Sequence, residues 1–230
     1  MRVYVSADVD DREPGFVGEQ LVERGGELRY LDRDALPAYA MLDEPGLLVL
    51  LGSARSGCAD DQRAVVEMES ALVRDALAAG TPVMGICYGG QLVAHALGGS
   101  IQPAEAAEFG WHLIDSIDPL LCPPGPWAQF HSDSFKPAPT SRVLGSSAGG
   151  CQAYVDESRA ARAIGWQFHP EVRGARFVEW VDELETYCLA QGGDPDSLRR
   201  EGAERADSGR TAAYDLTDAA LDWLLPSSPS

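Results

Sequence analysis

Thr81-Pro82-Val83-Met84-Gly85-Ile86-Cys87-Tyr88-Gly89-Gly90-Gln91 is the stretch on which the fold turns. An apolar run stops at a cysteine, with Gly85 before it and Gly89 after it, and a helical pattern continues to Leu97. This is the cysteine form of a nucleophile elbow, in which a strand turns straight into a helix. Side chains at the flanking positions would collide across so tight a turn, so glycine is expected there. The thiol then sits at a helix N-terminus, where the dipole and free N–H groups favour thiolate. The amide after Cys87 can point at a developing oxyanion.

Upstream of the elbow, strands and helices alternate. Arg2 to Ala7 reads as a buried strand, Gly15 to Arg24 as a helix, and Glu27 to Leu31 as a second strand. Leu47 to Leu51 is a continuous apolar run, as in a strand covered on both faces, and it breaks at Gly52-Ser53. Gln62 to Ala79 carries a helical apolar stripe. This alternation predicts an α/β fold: a doubly wound, mostly parallel sheet with helices on both faces. Sites in such sheets form at the C-terminal strand ends, where Gly52 and Cys87 both fall.

After Ser100 the pattern changes. Short strand-like pieces (108–114, 127–130, 142–146, 152–155 and 162–168) alternate with Pro and Gly, which reads as a small antiparallel addition. One helix is expected over Gly174 to Ala190, then a break at Gly192-Gly193-Asp194-Pro195. The domain expected is 1–191. Residues 192–230 read as an acidic appendage with two weak helices, 196–205 and 211–225, and a disordered end from Pro226. Tyr214, Leu216, Leu221, Trp223 and Leu224 would dock on the core or on a second subunit.

Charge and cysteine usage exclude several classes. The net charge of −18 argues against nucleic acid and anionic membranes as partners. Five cysteines, odd in number and without a CxxC pair, fit a reducing compartment, so a cytoplasmic location is expected. The N-terminus is a strand pattern rather than a signal peptide, and no apolar run reaches the roughly 18 residues of a membrane span. No cofactor and no metal is expected: His169 and Glu171 have no further ligand at metal spacing. Glycines 89 and 90 lack the Lys-Ser/Thr pair of a phosphate loop.

A cysteine nucleophile needs a base, and the base needs a group to orient it. Of four histidines, His169 in Gln167-Phe168-His169-Pro170-Glu171 is the best candidate. It follows a strand, Pro170 keeps the turn extended, and Glu171 can accept the imidazole Nδ1–H. His131, in Phe130-His131-Ser132-Asp133-Ser134-Phe135, reads as a structural or substrate-segment histidine, and His95 and His112 as packing or surface residues.

With both motifs in view, the chain resembles the class I (triad) glutamine amidotransferases, and most of all stand-alone members related to the amidotransferase domain of GMP synthases. The resemblance rests on Gly85 to Gln91 and Gln167 to Glu171, with weaker matches at 50–53, 108–111 and 130–135, and covers about residues 1–190. It implies a flavodoxin-like sheet and a Cys87-His169-Glu171 triad that hydrolyses the glutamine amide through a γ-glutamyl thioester. It also implies an oxyanion hole from the N–H groups of Gly52 and Tyr88, and substrate contacts by Gln91 and the His131, Ser132 and Asp133 segment. Ammonia would pass to a separate synthetase, since the chain holds no second catalytic domain. A homodimer is also kept open, since the tail's apolar residues could dock on a second subunit.

Two positions depart from the family. Leu51-Gly52-Ser53 stands where the family usually reads Gly-Gly-Pro, and Gly90 replaces a larger residue, which is read as widening the pocket beside Cys87. These changes keep open a γ-glutamyl hydrolase acting on a larger γ-glutamyl amide. A non-catalytic regulatory module is the third reading, and the intact triad argues against it.

Overall fold

Strands β1 (Arg2–Ala7), β2 (Glu27–Asp32), β3 (Pro45–Leu50) and β4 (Val83–Ile86) form parallel ladders, with helix α1 (Gly15–Glu23) between the first two and α2 (Arg63–Ala78) before the fourth. The computed structural model describes residues 1–226. Helix α3 (Tyr88–Ala96) leaves directly from β4. Then come β5 (Ser100–His112), β6 (Asp115–Ser116), β7 (Trp127–Lys136), β8 (Arg142–Ser147), β9 (Gly150–Asp156) and β10 (Ala163–Trp166). Four helices close the chain: α4 (Gly174–Glu183), α5 (Glu185–Ala190), α6 (Pro195–Arg205) and α7 (Arg210–Leu224).

The large sheet has the order β2-β1-β3-β4-β10-β9-β8-β6. Its first five strands are parallel, and β9, β8 and β6 continue it antiparallel. The doubly wound sheet expected from the sequence is therefore present. The middle strands are buried on both faces, which is why Leu47 to Leu50 and Val83 to Ile86 read as unbroken apolar runs. On one face Phe16, Val17 and Leu21 of α1 pack with Leu216, Leu221 and Leu224 of α7. On the other, Leu72 and Val73 of α2 pack with Leu92 and Val93 of α3.

A separate two-stranded sheet, β5-β7, stands outside the main one and carries its own apolar cluster. Phe130 of β7 meets Phe177 edge to face at 5.7 Å between centroids, with Val181 and Leu198 beside them. Strand β5 is longer than its pattern suggests. It runs back to Ser100 through a register shift between Pro103 and Glu108, in a polar, largely exposed stretch that carries no alternation.

The single helix expected over 174–190 is two. Leu184 leaves helical geometry at φ −115°, ψ 23°. The bend lets α5 bury Cys188 while Tyr187 reaches back, its hydroxyl 2.6 Å from the Ser132 hydroxyl. The helices expected near 196–205 and 211–225 are α6 and α7. Of the two docking places left open for α7, the core takes its apolar face. The disordered end expected from Pro226 concerns residues 227–230, which lie outside the described residues. Among the described residues no helix is long and apolar enough to cross a membrane.

Candidate active site

Strand β10 lies beside β4, with Trp166 opposite Ile86. The residues that follow each strand are therefore neighbours, however distant in sequence. The Cys87 N–H donates to the Trp166 carbonyl at 2.7 Å, and His169, three residues beyond Trp166, donates its N–H to the Ala128 carbonyl at 2.9 Å. On the other side of β4, β3 pairs Leu50 with Gly85, which brings Gly52 to the same end.

Cys87 has φ 52° and ψ −113°, a backbone state rare for a residue with a side chain. Such strain costs on the order of 1–3 kcal/mol and persists only where the surroundings impose it. Here the surroundings are backbone. A Cβ at Gly85 would lie 2.5 Å from the Gly89 carbonyl oxygen, and one at Gly89 would lie 2.1 Å from that of Leu50. The flanking glycines are thus required by close approach. Gly90 has another reason: its missing Cβ faces the Trp166 carbonyl at 2.6 Å. That corrects the expectation that it widens the pocket, because the space saved lies against β10 and not in the cavity.

His169 and Glu171 are almost wholly buried, and His169 Nδ1 lies 2.7 Å from Glu171 Oε1. Cys87 stands close enough to the ring for its sulfur to act on the imidazole electrostatically. Burial works against the charged imidazole, but the Glu171 carboxylate and the Cys87 sulfur outweigh it and raise the His169 pKa well above its usual value. The arrangement favours the imidazolium form of His169. Glu171 is held in turn by the start of α1, where the Phe16 N–H donates to its carbonyl at 3.0 Å. Gly15 stands there at φ +44°, in the only space that carbonyl leaves.

Cys87, His169 and Glu171 line one cavity of about 690 Å³, together with Gly52, Tyr88 and Gln91 and with His131, Ser132 and Asp133. Every site residue picked out from the sequence therefore meets at one place. Tyr88 opens α3, so its N–H has no acceptor within the helix. A Cβ at Gly52 would be 3.6 Å from Cys87 Cβ, so the chain passes close to the thiol. Gln91 Nε2 donates to the Asp133 carbonyl at 3.2 Å, fixing one wall. The side chains of the 131–133 segment are already engaged. His131 meets Glu108 at 3.2 Å and Gln129 at 3.1 Å, Ser132 meets Tyr187, and Asp133 accepts from Ser56 at 2.6 Å.

A family model described as glutamine amidotransferase class-I matches residues 42–180. The chain belongs to the class-I glutamine amidotransferase family. Among curated proteins it is 35% identical over 102 residues to a GMP synthase [glutamine-hydrolyzing] of Neisseria meningitidis, covering 40% of this chain and 19% of that one. It is 33% identical over 144 residues to the same enzyme of Burkholderia mallei, covering 55% and 26%. The match thus spans about a fifth to a quarter of those relatives. Among solved structures, a glutamine amidotransferase of Thermotoga maritima superposes with a TM-score of 0.80 at 22% identity, covering 99% of both chains. One of Methylobacillus flagellatus gives 0.78 at 23%, covering 99% of this chain and 96% of that one. At these identities the structural likeness speaks for the fold.

Sequence reasoning passed over three residues that surround this cavity without lining it. Gln167 donates through Nε2 to Cys87 Sγ at 3.5 Å, and its Oε1 lies 3.3 Å from Gln91 Nε2. Its period-two spacing from His169 was the available signal, since residues two apart on an extended chain share a face. Arg33 and Glu69 are the other two. They are fully buried and joined at 2.8 Å, and a lone Arg and a mid-helix Glu carry no local mark of burial.

Proposed function

We propose that this chain hydrolyses the side-chain amide of glutamine and hands the ammonia to a separate synthetase. The observation that carries the reading is a strained Cys87 that shares one cavity with an imidazole oriented by a buried carboxylate. In this mechanism the Cys87 thiolate attacks the amide carbon. The oxyanion forms against the N–H groups of Gly52 and Tyr88. His169, kept charged by Glu171, protonates the departing nitrogen, which leaves as ammonia. A γ-glutamyl thioester remains. His169, now neutral, takes a proton from water, which attacks the thioester and releases glutamate. Gln91 and the backbone of residues 131–133 hold the amino-acid end of the substrate. Residues 1–191 form the catalytic unit, with helices α6 and α7 of the acidic segment packed against it.

The test is glutamate release by the purified protein alone and with candidate synthetases. No hydrolysis in either setting rejects the proposal. A second reading keeps the chemistry and enlarges the substrate to a γ-glutamyl amide of a metabolite. The cavity favours it, since about 690 Å³ lies within the range that houses drug-sized ligands. Competition decides: a strong preference for glutamine over larger γ-glutamyl amides removes it. An unlabelled Cys87 after exposure to a glutamine-like diazoketone would support the non-catalytic module instead.

A further inference from the structure

Arg33 does not itself line the cavity, yet it is bonded to residues that form one side of it. It sits in a short 3-10 turn after β2 and is completely buried. Nη2 donates to the Leu51 carbonyl at 2.9 Å, and Nη1 to the Gly52 carbonyl at 3.2 Å and to Asp8 Oδ2 at 2.9 Å. Nε donates to Glu69 Oε1 at 2.8 Å. The second oxygen of Glu69 accepts from the Tyr88 hydroxyl at 2.9 Å. The guanidinium also lies over the Tyr88 ring, 4.9 Å from its centroid.

Two consequences follow from peptide geometry. In a trans peptide the C=O and N–H point in opposite directions. Holding the Leu51 carbonyl on the guanidinium therefore turns the Gly52 N–H away from it. Gly52 has its open side against His169 Cε1 and Cys87 Cβ, 3.0 and 3.6 Å from where a Cβ would stand. The other tether reaches Tyr88, whose N–H is the second oxyanion donor of the proposed mechanism. One buried ion pair thus holds both residues to which that mechanism assigns the oxyanion. Stability is a weak reason for such a pair, because well-packed apolar replacements of buried ion pairs are often neutral or stabilising.

We propose that Arg33 is a positioning residue that, through Glu69, sets the two halves of the oxyanion hole relative to each other. This rests on the glutamine-hydrolysing reading of the Cys87 site. Its effect should appear where charge develops on the substrate oxygen, and not in substrate binding or in the thiolate itself.

The experiment uses Arg33→Met, Arg33→Lys and Tyr88→Phe in the full chain. Three quantities are read: kcat and KM for glutamine, the rate of Cys87 modification by a γ-diazoketone analogue of glutamine, and the rate with iodoacetamide. Arg33→Met is expected to lower kcat about 100-fold, as loss of an oxyanion donor does. The diazoketone rate should fall in parallel, while KM and the iodoacetamide rate stay near wild type. Arg33→Lys, which keeps the charge but cannot bridge both carbonyls, should recover part of the loss. Where Arg33→Met does not fold, Tyr88→Phe cuts only the second tether and should show the same pattern, weaker. An unchanged kcat in the folded variant, a loss confined to KM, or an equal fall with iodoacetamide overturns the proposal. A wild-type chain that neither releases glutamate nor reacts with the diazoketone overturns the functional reading on which it stands.

Discussion

Replacing Glu171 by Gln tests how far the buried carboxylate sets the chemistry. The substitution keeps the shape of the side chain and removes one charge from beside His169, at an N–O distance of 2.7 Å. Two unit charges about 4 Å apart at an effective dielectric of 20 attract by about 4 kcal/mol. At about 1.4 kcal/mol per decade, that is roughly a thousandfold loss of imidazolium. The amide brings a second defect: its N–H can donate to Nδ1 and force the proton onto Nε2, where the ring can no longer accept one from that side. A comparable tautomer error costs on the order of 10⁴ in a serine-protease triad. The expected result is a fall in kcat of about 10³ or more with KM little changed, measured by glutamate release. Circular dichroism and thermal melting would confirm that the variant is folded. A folded Glu171→Gln protein within tenfold of wild type would refute the reasoning.

Other predictions concern packing, thiols and pH. Gly89→Ala puts a Cβ 2.1 Å from the Leu50 carbonyl oxygen, where only backbone can give way, so soluble yield and Tm should both drop sharply. Leu221→Ala opens space between α7 and the sheet and should cost about 2–5 kcal/mol in urea unfolding. In mass-spectrometric labelling at neutral pH, Cys87 should react first. Burial pushes the Cys58, Cys122 and Cys151 thiols up to about 12, with Asp133 adding to the effect at Cys58, so these should lag by orders of magnitude. His169 has its pKa raised in the folded state, so it binds a proton more tightly folded than unfolded. Its contribution to stability is fully present below the ordinary value of about 6.5 and is lost as pH rises through the raised one. Urea midpoints for wild type should fall across that alkaline limb, and Glu171→Gln should flatten it.

The amino-acid order alone determined the elbow, and with it much of the fold. Gly85, Cys87 and Gly89 mark a turn that only a strand running into a helix needs, and the apolar runs at 47–51 and 83–86 declare strands covered on both faces. The His-Pro-Glu run marked the candidate base and a carboxylate to orient it, because strand-end position and spacing are local properties. What folding decided is adjacency. Strand β10 lies against β4, so a histidine far along the chain meets the thiol, and no local pattern records which strands become neighbours. The same holds for Arg33 and Glu69, which come from a turn and a helix with nothing in common until the sheet brings them under Gly52 and Tyr88. The bend at Leu184 and the polar half of β5 were hidden for a related reason: the first is set by packing on the β5-β7 cluster and the second by pairing with residues 133–136 of β7, not by the periodicity of their own residues. Sequence periodicity reports how a segment meets solvent and core; it cannot report which partner waits on the other side.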